Sequence, residues 1–189
     1  MMLIAYVGTV VFITLLAMGI AALIAKSNGK NPYRWAKFTF FALLVYMVWD
    51  IYPTYWAMDY YCKKEAGFWI YKTQDQWKAE NPGVMERLVA DKYAPSTRQG
   101  DRVNYTDTYV VNQRFNRINY YYSALPFLPV HHNESAVVDS KTAEVLARYV
   151  DFGSHHDFKF WLNVQHCNEG EENYSRFLLF KRKFQGVNK

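Results

Sequence analysis

Residues 2–25 read MLIAYVGTVVFITLLAMGIAALIA, without one charged side chain. At about 1.5 Å per residue, a helix of that length crosses the ~30 Å hydrocarbon core of a bilayer. A cleaved signal peptide starts with basic residues and carries a shorter apolar segment. Here no Lys or Arg precedes the run, and the run is long, so a retained transmembrane helix over about 2–25 is expected. Ala17 and Ala21 form a small-xxx-small pair, a spacing that lets a second helix approach closely or simply faces lipid.

Outward from that run, residues 38–49 read FTFFALLVYMVW. These alone reach only ~18 Å, too short to span. Continued through Met58, the segment is long enough, and its tail is crowded with Trp49, Tyr52, Tyr55 and Trp56. That is the composition of an aromatic belt at a membrane–water interface. A second helix over about 36–58 is expected, kinked near Pro53, whose ring removes a backbone donor. Asp50 is the polar residue within it. An intramembrane carboxylate is costly, and the surrounding aromatics place this one toward the headgroups.

The connecting stretch, residues 26–37, reads KSNGKNPYRWAK, with Lys26, Lys30, Arg34 and Lys37 and no acid. The positive-inside rule makes it a cytoplasmic loop. Residues 1–58 then form a transmembrane hairpin in the inner (plasma) membrane of a bacterium. Both termini and residues 59–189 lie on the periplasmic side, although Lys63 and Lys64 weigh the other way. Residues 1–58 hold four basic residues and one acid, net +3, and the rest hold 18 and 16, net +2. A nearly neutral outer domain argues against a nucleic-acid partner, which requires a concentrated basic face. In an oxidising compartment the two cysteines, Cys62 and Cys167, can pair.

Residues 59–189 carry no linker-like segment and no repeat. Gly67–Thr73 reads as a short strand. Asn81-Pro82-Gly83 has the pattern of a cap and first helical residue, with Val84, Met85, Leu88 and Val89 on one face of a helix running to about Lys92. Residues 94–102 are polar and read as a loop. Residues 105–124 are aromatic and β-branched and predict two strands with a turn near Asn116. Residues 137–152 predict a hairpin with its tip at 139–143. Phe158–Cys167 alternates as a half-buried strand does, and residues 174–184 read as the last strand. The expected class is a membrane-anchored α+β protein: a two-helix transmembrane hairpin, then a small, mostly antiparallel sheet with one or two short helices.

All five histidines fall in the second part. His131, His155 and His166 are the candidate transition-metal ligands, although no metal-ligand spacing motif accompanies them. Tyr120, Tyr121 and Tyr122 form a candidate partner-binding surface, since aromatics are enriched at interface hot spots. Asn104, Asn133 and Asn173 begin N-x-S/T triplets, which are glycan acceptors only in a eukaryotic lumen. No nucleophile elbow, phosphate loop or dinucleotide motif is present. The sequence therefore predicts a non-catalytic accessory, scaffolding or immunity/exclusion-type subunit. It would anchor a periplasmic domain in the lipid bilayer and bind other integral membrane proteins, with no cofactor. The alternative is a periplasmic metal-binding protein that assists a membrane metalloenzyme.

Overall fold

The computed structural model describes residues 2–91, 93, 95–156, 159, 162–164 and 166–186, with side chains from residue 8 onward. Two units compose the chain, residues 1–51 and 52–189.

The first unit contains helices α1 (Met2–Ser27) and α2 (Pro32–Val48). Helix α1 ends because Gly29 adopts a left-handed φ of 67°. That turn lets Gly29 N donate to Lys26 O (3.2 Å) and Lys30 N to Ala25 O (2.8 Å), closing the orphan carbonyls of the last turn. Asn31 then caps α2, its side chain accepting from Tyr33 N and Arg34 N, with Pro32 in the first turn. The connection is therefore shorter than the expected 26–37 loop: Asn-Pro starts α2 at residue 32, and Arg34 and Lys37 belong to its first turns.

Trp49 and Asp50 separate α2 from α3 (Ile51–Lys64). Pro53 lies in the first turn of α3 and cannot donate to the carbonyl four residues back, at Trp49. Gly8–Ser27 and Pro32–Lys64 are each long and apolar enough to cross a membrane, and the apolar window of each is almost wholly unburied.

The second unit is built on a six-stranded antiparallel sheet of order β1-β6-β5-β4-β3-β2. Its strands are β1 (Gly67–Ile70), β2 (Ser96–Gly100), β3 (Tyr105–Val110), β4 (Phe115–Ser123), β5 (Val130–Asp139) and β6 (Glu144–Ser154). Strands β2 to β6 form a meander, and β1 pairs with the far side of β6. The hairpin tip falls at residues 140–143, as the 137–152 pattern predicts, with a register shift between Val137 and Val138.

Five expectations are corrected. The turn expected near Asn116 comes earlier, at residues 111–114, and Asn116 pairs with Val110 inside the ladder. The 94–102 loop contains β2, an edge strand held by its backbone ladder to β3 with every side chain exposed. The helix expected from Asn81 also lies earlier, as α4 (Gln74–Glu80), opened by a Thr73/Gln76 capping box. Asn81 closes it, and only a 3₁₀ turn, Met85–Arg87, follows. Residues 174–184 belong to a helix, α5 (Gly170–Lys183). Of the strand expected over 158–167, positions 158, 160, 161 and 165 lie outside the described residues. Among those described, Val164 alone pairs, with Ser154.

Helices α3 and α5 cover opposite sheet faces, as alternation along β6 requires. Ala147 and Tyr149 pack with Trp77, Phe115 and Val137, with Phe177 and Phe180 of α5, and with Phe184 just after that helix. Val150 and Phe152 pack with Ala57, Met58 and Val130, and Tyr61 stacks on Phe152 at 4.8 Å. Cys62 of α3 and Cys167 form a disulfide with their Cα atoms 5.5 Å apart, bridging a separation of 105 residues.

Candidate functional site

Helix α5 covers only one end of its sheet face. The phenylalanines on that helix lie over the apolar residues Phe115, Val137 and Ala147. Along the same faces of β4 and β5 the residues become polar: Arg117 and Asn119 after Phe115, and Ser135 and Asn133 before Val137. The uncovered end is a cleft of about 430 Å³ between β3–β6 and the start of α5.

One wall is a stack running across the strands. Arg98 holds Asp107 through two hydrogen bonds of 2.7 Å and lies over the Tyr105 ring at 4.1 Å. Tyr105 stacks on Tyr121 at 5.0 Å, and Tyr121 on His131 at 5.3 Å. The Arg98 hydrogen bonds hold the Asp107 carboxyl below its ordinary pKa, and burial raises that of the Tyr121 phenol.

The floor is a hydrogen-bonded set around Arg117. Its Nε donates to Asn119 Oδ1 (2.8 Å), and an Nη donates to Tyr174 Oη (3.1 Å) and Ser135 Oγ (3.4 Å). Ser135 Oγ donates in turn to Asn119 Oδ1 (2.8 Å). This hydroxyl thus engages an amide rather than an imidazole.

At the α5 end, Asp151 accepts from Cys167 N (3.0 Å) and pairs with His166 Nδ1 (2.8 Å). Gly170 is required there: a Cβ would come within 2.8 Å of the Asp151 carboxylate. Tyr149 donates to Gly170 O (3.1 Å), and burial, aided by Asp151, raises its phenol pKa far above the usual range.

The candidate ligands His131, His155 and His166 are used differently from one another. His131 lies in the tyrosine stack beside His155, and His166 pairs with Asp151. Among the described residues no group of three His, Cys, Asp or Glu side chains is arranged to hold a metal ion. The tyrosine run divides by strand alternation. Tyr120 and Tyr122 are exposed and alternate to the other face from Tyr121, and Tyr120 as well as Tyr121 borders the cleft. Tyr52 and Trp56 are 88% and 72% exposed, and Trp49 and Tyr55 are also open, whereas Asp50 is only 5% exposed.

Sequence reasoning missed Arg117, Asn119 and Ser135. The available signal was the polar alternation of Arg117 and Asn119 between Phe115 and Tyr121, a pattern that an ordinary solvent-facing strand shares.

No protein-family profile, curated protein or solved structure matches this chain.

Proposed function

We propose that this protein is a two-pass, membrane-anchored accessory subunit that binds other integral membrane proteins through its sheet domain. The supporting observation is uncovered apolar surface. Phe12, Leu15 and Leu23 of α1 and Phe38 and Phe41 of α2 face outward, as lipid-facing residues do. On the sheet face opposite the cleft, Trp69, Tyr120 and Tyr122 stand open, the residue types that anchor protein interfaces. The disulfide suits an oxidising compartment. With Lys26, Lys30, Arg34 and Lys37 gathered at the helix turn, that turn is cytoplasmic and the sheet domain periplasmic.

Extraction of native membranes in mild detergent tests this reading. The chain is expected in the membrane fraction, migrating with a larger stoichiometric assembly. Tyr120→Ala combined with Tyr122→Ala is expected to release the partner while the chain stays in the membrane. Recovery in the soluble fraction would end the anchoring reading. Migration alone, or partner recovery unchanged by the double substitution, would end the docking reading.

A further inference from the structure

The cleft lies on the sheet face away from the Tyr122 side chain, with Tyr120 at its border. Three arginines of the sheet domain meet carboxylates: Arg98 with Asp107, Arg114 with Asp139 and Arg148 with Glu134. Arg117 is different. It is half-buried on the cleft floor, and its hydrogen bonds go to the neutral Asn119, Ser135 and Tyr174. Among the described residues no carboxylate is within ion-pairing distance of it. Packing adds no anion either, since the guanidinium lies over the rings of Tyr174 and Phe177, each at 5.7 Å.

A second cation is close by. Lys181 of α5 is half-buried and makes no hydrogen bond or ion pair among the described residues. Burial first, then the positive charges of Arg117 and Arg182, lower its pKa. On the opposite side, the Asn133 amide lines the cleft with no hydrogen bond among the described residues. A half-buried cation whose hydrogen-bond partners are all neutral lacks a counter-ion, and a ligand anion would supply one.

We propose that this cleft binds a small organic carboxylate, its carboxylate group held by Arg117 and its remainder by Asn133 and the tyrosine wall. The Nε and one Nη of Arg117 are already committed to protein acceptors, which leaves the other Nη for a ligand oxygen. Asp151 and Glu171 also line the cleft, and they would repel a dianionic phosphate more than a carboxylate. The volume of about 430 Å³ is within the usual range for small-molecule sites.

The test is thermal unfolding and calorimetric titration of the full chain in detergent micelles. The probes are acetate, succinate, citrate and glutamate at millimolar concentration, with acetamide and succinamide as matched neutral controls and inorganic phosphate as a separate arm. At least one carboxylate is expected to raise Tm in a saturable way while its amide does not. Arg117→Gln is expected to weaken that binding by roughly tenfold or more, as loss of a charge-assisted contact does. Asn133→Ala, which also lines the cleft, gives a second variant should the first fail to fold, and a severalfold loss is expected. The proposal is overturned if no carboxylate exceeds its amide, if neither substitution weakens binding, or if phosphate binds more tightly than every carboxylate.

Discussion

His132 shows how strongly a single position can be set by its surroundings. Its ring is stacked on Tyr122 at 4.3 Å and meets Phe152 edge-on at 5.0 Å. Burial lowers the pKa of both His131 and His132 from 6.5, although Glu134, 3.8 Å from His132, opposes the effect there. The unfolded chain thus takes up protons near pH 6.5 that the folded chain resists. Stability is complete above that pH and declines as pH falls below it. Tm measured from pH 8 to pH 5 is expected to drop on the acid side, and His132→Phe to flatten the slope. An unchanged slope would show that His132 does not carry the effect.

Asp139 is the other such residue. Fully buried, it accepts from Trp77 Nε1 (2.9 Å) and Arg114 Nε (2.6 Å). Burial alone would raise its pKa, but Arg114, Trp77 and the Lys141 backbone outweigh burial and lower it. Asp139→Asn strands the Arg114 charge and is expected to cost about 3–5 kcal/mol in chemical denaturation.

Among the secondary-structure elements, α5 is the decisive one. Residues 174–184 are rich in aromatics, which suggests a strand, but Phe177, Phe180 and Phe184 recur at i, i+3 and i+7, the helical period. Glu171 and Glu172 in the first turn, with Lys181, Arg182 and Lys183 in the last, also match the helix dipole. The helical signal is therefore present in the sequence, masked by aromatic content. Phe177 is fully buried between Phe68, Tyr149 and Tyr174. Phe177→Ala is expected to destabilise the sheet domain by about 3–5 kcal/mol, measured by denaturant unfolding. A loss under 1 kcal/mol would mean that α5 is not docked as described. Strand β2 is the opposite case. Its residues STRQG carry no pattern because an exposed edge strand is held by ladder hydrogen bonds, which any side chain permits.

Over the full length of the chain, the disulfide is the long-range constraint within the second unit. Cys62 lies in the last turn of α3 and Cys167 precedes α5. Closing a 105-residue separation limits the unfolded chain and contributes about 4–5 kcal/mol in the chain-entropy model, often less in practice. Reduction, or Cys62→Ser with Cys167→Ser, is expected to lower Tm clearly and to shift mobility between reducing and non-reducing gels. Equal mobility in the protein isolated from its native membranes would mean that the bond does not form in the cell.

Features that depend on local pattern were legible before any fold was known. The uncharged run 2–25, the presence of two strands within 105–124 (though not the place of their turn) and the 137–152 hairpin belong here, because periodicity and turn chemistry act over a few neighbours. Which face each residue serves came from tertiary contacts alone. Those contacts divided Tyr120 and Tyr122 from Tyr121, paired His166 with Asp151 and left Arg117 with only neutral hydrogen-bond partners among the described residues. Each outcome depends on which strands become neighbours and on how far α5 reaches across them. Both are set between residues distant in the chain, and no short-range pattern encodes such contacts.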